Sequence, residues 1–162
     1  MSDQNEQQKL WEKIKDVRVA MLTTAEPDGS LRSRPMYTQQ VEFSGDLWFF
    51  TADDSGKVAE IQKDRDVNLA YAEPKSSRYV SVSGKAELVH DRAKIDELWS
   101  PALKAWFNGG KDDPHLALLR IGVSGAEYWD DNHSKMGQLF GMAKAAVTDE
   151  TYTGSEHGVV EP

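Results

Sequence analysis

Two β-prone runs, Leu31 to Phe43 and Leu47 to Thr51, are joined only by Ser44-Gly-Asp46. A link this short reverses the chain, whereas a parallel neighbour needs a crossover of a dozen or more residues. The spacing predicts an antiparallel meander in which a hairpin at Ser44-Gly45 pairs the two runs. Similar punctuation recurs along the chain. Arg18 to Thr24 is β-prone and runs into Glu26-Pro-Asp-Gly29, where Pro presets φ and Gly admits positive φ. Val67 to Tyr71 and Tyr79 to Val89 flank the loop Glu73-Pro-Lys-Ser-Ser77. Leu116 to Val123 and Glu127 to Asp130 read as the last two strands. Pro35 places its own strand at an edge or a bulge.

Helical periodicity is confined to a few stretches. Leu10, Ile14 and Val17 recur at helical spacing in a segment from Asp3 to Asp16, with Trp11 widening the stripe. Ser55 opens a short helix carrying Val58 and Ile61, and Asp91 caps one carrying Ile95, Leu98 and Trp99. Pro101 starts a further turn or two with Leu103, Trp106 and Phe107, before a loop from Asn108 to Pro114. Met136 to Val147 reads as a loose terminal helix, and residues 148–162 as a polar, flexible C-terminal tail. The expected class is α+β, mainly β. An antiparallel sheet of this kind closes into a barrel or packs as a sandwich, because open edges aggregate. Residues 1–147 form the one expected domain.

Composition removes several function classes. The chain of 162 residues contains no cysteine, which excludes disulfides, thiolate zinc sites, iron–sulfur clusters and cysteine catalysis. Its 27 acidic residues against 19 basic ones leave a net charge of −8, which argues against nucleic acid as a partner. No apolar run approaches the ~18 residues of a membrane span, and the N-terminus lacks a signal-peptide pattern. A cytoplasmic protein is expected. His90, His115, His133 and His157 are scattered, with no metal-binding or triad spacing, so no metal site is expected.

Three features carry candidate chemistry. Thr51-Ala-Asp-Asp-Ser-Gly-Lys57 leads from an aromatic strand directly into a helix, where free N–H groups, the Ser55 hydroxyl and Lys57 suit a phosphate. The competing reading makes Ser55 a simple cap and Lys57 a solvated cation, and Asp53 and Asp54 favour it by repelling anions. Arg32 and Arg34 alternate onto one strand face, either converging on that helix start or lying in water. Trp48, Phe49, Phe50, Tyr79, Tyr128 and Trp129 are either stacking surfaces for a planar cofactor or core and dimer interface.

Together these residues resemble the FMN-binding split-barrel proteins of the pyridoxamine 5′-phosphate oxidase-like superfamily, general stress protein subfamily. The resemblance rests on Ser33-Arg-Pro-Met36, Leu47-Trp-Phe-Phe-Thr51, Ser55-Gly-Lys57, Val67-Asn-Leu-Ala-Tyr71, Tyr79-Val-Ser-Val-Ser-Gly-Lys-Ala86 and Glu127-Tyr-Trp129, and it runs from about Asp16 to about Asp130. It implies an antiparallel split β-barrel and a homodimer with FMN in clefts between subunits. It implies that Arg34, Ser55 and Lys57 meet the flavin phosphate, that Met36 lies beside the ring, and that Phe50 and Thr51 contact ring and ribityl. Tyr79 and Trp129 would reach the flavin held mainly by the other subunit. FAD, deazaflavin and haem are alternative cofactors among related barrels. The segment Asp130 to Met136 lacks the Arg/His-bearing pattern of the vitamin oxidases, and Gln39 stands where that pattern carries a lysine. Three functions therefore stay open: an FMN-dependent oxidoreductase of unknown substrate, a non-catalytic flavin carrier, and a dimeric barrel interaction protein with a decayed FMN site. No catalytic residue is assigned.

Overall fold

A computed structural model describes residues 2–40, 43–131, 142–144, 146–148 and 156–161. Helix α1 (Ser2–Ile14) precedes strands β1 (Val19–Ala25), β2 (Leu31–Tyr37) and β3 (Asp46–Ala52). Helix α2 (Gly56–Lys63) leads to β4 (Asp66–Glu73) and β5 (Arg78–Val89). Helix α3 (Arg92–Leu98) and two 3₁₀ turns, Pro101–Ala105 and Gly110–Asp112, precede β6 (Leu116–Asp130) and β7 (Glu156–Val160). The strands form one antiparallel sheet in the order β2-β1-β4-β5-β6-β3, with β7 also on β6. The sheet curls into a split barrel around a core that includes Leu22, Phe49, Leu69, Tyr71, Val82 and Ile121. Leu10 and Ile14 of α1 join this core, as their spacing requires.

Three sequence expectations change. The hairpin from Leu31 to Thr51 does not form: β2 ends at Tyr37 and pairs only with β1, while β3 pairs with β6. Pro35 lacks the N–H that a strand bonded on both sides needs, so β2 is an edge. The two strands nevertheless approach across the split, where the Gln39 amide donates to the Trp48 carbonyl at 3.0 Å. The last two strands are one, β6, whose register against β5 shifts at Ser83/Gly84. Gly84 is required at that shift, because a Cβ there would collide with the Gly122 carbonyl and Ile121.

The third change concerns the expected flexible tail. Glu156–Val160 is a strand, paired from Ala126↔Val160 to Asp130↔Glu156. On that side of β6, β3 covers only Leu116 to Gly122, and β7 takes the open edge beyond it. Val160 is buried, and Gly158 lies so close to the Tyr128 ring that no side chain would fit. Residues 149–155 of that tail lie outside the described residues. Of the expected terminal helix, residues 142–144 and 146–148 are helical and the remainder lies outside them.

Charge closes this end of the barrel. Lys13 Nζ lies 2.7 Å from Asp130 Oδ2 and 3.0 Å from Glu156 Oε2, and Lys9 reaches Glu156 at 3.2 Å. These lysines, Lys13 first, depress the Glu156 carboxyl from 4.5 to about 2. A depressed carboxyl contributes stability that is complete above its unfolded value and is lost as pH falls through its folded value. Stability should therefore decline between about pH 4.5 and 2. Glu156→Gln should flatten that part of a pH series of urea midpoints, and an unchanged slope would remove Glu156 from the clamp.

Candidate functional site

Strand β3 is covered on both faces, which explains its dense aromatic character. Leu47 and Phe49 enter the barrel core, whereas Phe50 joins Ile95, Leu98, Leu116 and Leu118 in a second cluster against α3. Phe50 meets Trp99 edge-on at 5.7 Å and Phe107 at 6.2 Å. The 3₁₀ excursion is thereby anchored, and its exposed Trp106 leans on Tyr37 at 5.5 Å. Between this excursion and the facing edges of β2 and β3 lies a cleft of ≈ 270 Å³. Met36, Phe50, Thr51 and Lys57 line it, together with Gln39 and Trp106.

The start of α2 forms the polar end of the cleft. Ser55 precedes the helix in extended conformation, yet its side chain makes no capping hydrogen bond. Its Oγ is buried and has no partner among the described residues, so the simple-cap reading fails. Lys57 has no carboxylate partner among them either. Burial, then the neighbouring Arg34, holds its ammonium below the ordinary lysine pKa. A half-buried cation and an orphaned hydroxyl beside free helix N–H groups are what a bound phosphate would satisfy.

Arg34 is already engaged. Its guanidinium donates to Glu60 Oε2 at 2.9 Å and to Thr24 Oγ1 at 3.0 Å. Thr24 also donates to Glu60, and with Arg34 it holds that carboxyl below its usual pKa. Glu60, on the inner side of α2, escaped the sequence reading because an acidic residue on a short helix normally faces water. Arg32 remains exposed, 3.4 Å from Glu26. The sequence placed both arginines on one strand face, and nothing in it pointed to Glu60 as the partner of Arg34.

Asp53 faces away from this anion-friendly end. One oxygen lies 2.9 Å from His115 Nδ1 and the other 3.1 Å from His90 Nε2. Those contacts, His90 first, lower the Asp53 pKa, and Asp53 with Asp54 raises that of His115. His90 and His115, far apart in sequence, are therefore gathered in space.

Comparison with known proteins agrees with this architecture. Residues 5–153 match the family model described as pyridoxamine 5′-phosphate oxidase like. The chain belongs to that family. Its general stress protein branch supplies close structural likenesses. A protein assigned to general stress protein 26 from Jannaschia sp. CCS1 superposes with a TM-score of 0.78 at 29% identity, covering 100% of both chains. The general stress FMN/FAD binding protein of Xanthomonas citri is 36% identical with a TM-score of 0.68, over 82% of this chain and 92% of that one. Protein bli-3 of Neurospora crassa is 30% identical over 146 residues, which is 84% of this chain and 70% of that protein.

Met36, Phe50, Thr51 and Lys57 line the cleft, while Arg34 lies near Lys57, and Ser55 directly precedes the helix of Lys57, outside the lining. Tyr79 and Trp129 do not line it. They pair with each other across β5 and β6, exposed on the outside of the barrel, and Trp129 stacks on His157 at 5.4 Å. No Asp, Glu or His lines the cleft among the described residues. No described helix is long and apolar enough to cross a membrane.

Proposed function

We propose that this protein binds FMN, with the phosphate at the start of α2 and the ring in the cleft beside Met36 and Phe50, as a homodimer. The observation that carries the reading is the unpartnered pair of Ser55 Oγ and Lys57 at the polar end of an apolar cleft. The FMN/FAD binding relative from Xanthomonas citri supports it. Arg34, held by Glu60 and Thr24, keeps unused N–H donors for the same anion. Asp53, engaged by two histidines, weighs against a decayed site, because its charge is directed elsewhere.

The second subunit enters on two grounds. A cleft of ≈ 270 Å³ is below the roughly 300–1,000 Å³ typical for drug-sized ligands, so one chain gives only part of an enclosure. Val19, Met21, Tyr37, Tyr79, Trp129 and Val159 are exposed on β1, β2, β5, β6 and β7, apolar side chains that a second subunit would cover. In the dimer, Tyr79 and Trp129 reach the flavin of the partner subunit.

When bound, the flavin supplies the redox chemistry. The chain's own residues anchor the phosphate and exclude water from one ring face. A cleft lined among the described residues by no Asp, Glu or His suits an oxidoreductase of simple electron or hydride transfer and equally a flavin carrier.

Purified protein should show the absorbance of oxidised flavin, or gain thermal stability when FMN is added. Across a dilution series, sedimentation and flavin fluorescence should report dissociation of the dimer and release of flavin together, and Tyr79→Ala should weaken both. Colourless protein that FMN does not stabilise would overturn the flavin reading. A monomer that retains FMN would overturn only the shared cleft.

A further inference from the structure

We propose that the turn between β3 and α2 carries a binding site for a divalent transition-metal ion, with Asp53, Asp54 and His115 as donors and His90 beside them. Three strand ends create it. Asp53 and Asp54 directly follow β3, His115 directly precedes β6, and His90 directly follows β5. The β3–β6 ladder closes with Ala52 opposite Leu116, and the Asp53 amide extends it by donating to the His115 carbonyl at 2.8 Å. The donors therefore sit on sheet-fixed backbone, which holds a coordination geometry better than a free loop does. Asp113 Oδ1 accepts from the His115 amide at 2.9 Å and steadies that residue from the other side.

Donor atoms of Asp53, Asp54 and His115 lie within 4.8 Å of one another. His90 Nε2 adds a second imidazole 3.1 Å from Asp53. Mixed imidazole and carboxylate donors suit Zn²⁺, whose bonds to such atoms are about 2.0–2.2 Å, so neighbouring donors stand roughly 3.3 Å apart in a tetrahedron. The Asp53–His115 contact of 2.9 Å would open by a few tenths of an ångström to admit the ion, and Asp54 would close in from within 4.8 Å. Charge points the same way. Two adjacent carboxylates bring two negative charges to the turn, which a dication balances. The rival account is a plain charge-assisted clasp. In it Asp54 acts on His115 by charge alone, because Asp54 makes none of the clasp's hydrogen bonds.

The site lies two residues before Ser55. If the flavin reading holds, a bound dication also removes the repulsion that Asp54 exerts on the phosphate, so metal and FMN each raise the affinity for the other.

The test is calorimetric titration of chelator-stripped full-length protein with Zn²⁺, without flavin. Saturable binding of one ion per chain is expected. His115→Ala and Asp54→Asn should each weaken it by roughly ten- to a hundredfold, a loss seen even for supporting groups of metal sites. His157→Ala, outside the cluster, should leave it unchanged. Asp54→Asn spares the clasp, so it separates loss of ligation from loss of structure. Absence of saturable binding, or equal binding by Asp54→Asn and wild type, overturns the site. Zinc binding with no change in FMN affinity overturns only the coupling.

Discussion

Lys13→Met is expected to lower the unfolding free energy by about 3 kcal/mol, the range for breaking one side of a buried ion pair. Asp130 is 1% exposed and Lys13 11% exposed at the side chain. Removal of the ammonium leaves Asp130 with Arg78 Nε, at 3.1 Å, as its remaining ion-pair partner among the described residues. Glu156 loses a contact in the same step, and Tyr128 loses the cation 4.9 Å above its ring. One residue thus ties α1 to β6 and β7, segments at opposite ends of the chain. The measurement is urea unfolding followed by tryptophan fluorescence. Lys13→Met combined with Asp130→Asn should recover part of the loss, because the stranded carboxylate is then gone. A loss under about 1 kcal/mol, the worth of a surface pair, would show that water screens the clamp.

Lys57→Ala is expected to weaken FMN binding by roughly ten- to 150-fold, from the 1.5–3 kcal/mol of a charge-assisted hydrogen bond, while leaving riboflavin binding nearly unchanged. Riboflavin lacks the phosphate, so it isolates the anion contact from ring stacking. The same substitution should not destabilise the fold, since Lys57 has no ion-pair partner among the described residues and is repelled by Arg34. Arg34→Ala behaves differently. It also weakens FMN, but it strands Glu60, which is 9% exposed and relies on Arg34 and Thr24. Its thermal midpoint should fall where that of Lys57→Ala does not. Equal losses of FMN and riboflavin in Lys57→Ala would displace the phosphate from α2.

Much of this organisation was legible in the chain. Leu10 and Ile14 mark the buried face of α1, Val17 is buried just beyond its end, and the Asp91 side chain accepts from the amides of Ala93 and Lys94 as a cap should. Gly29 and Gly45 hold the positive φ angles that their turns require. The order of strand motifs pointed to the family, and Met36, Phe50, Thr51 and Lys57 of the candidate residues line one cleft. Tyr79 and Trp129 differ because their surroundings in one chain are solvent.

What the sequence determined by itself is local: which runs extend, which wind, where they turn, and which side chains face inward. These follow from period, backbone freedom and capping, each read over a few residues. What only the tertiary structure decided is which distant residues meet. Arg34 finds Glu60 across 26 positions, His90 and His115 find Asp53 across 37 and 62, and Lys13 finds Asp130 across 117. β3 abandons its neighbour β2 for β6, and the final strand leaves the expected tail to cover the same β6. Such pairings carry no local signature. They arise when the sheet curls and every exposed strand edge, buried charge and apolar face must find a partner at once.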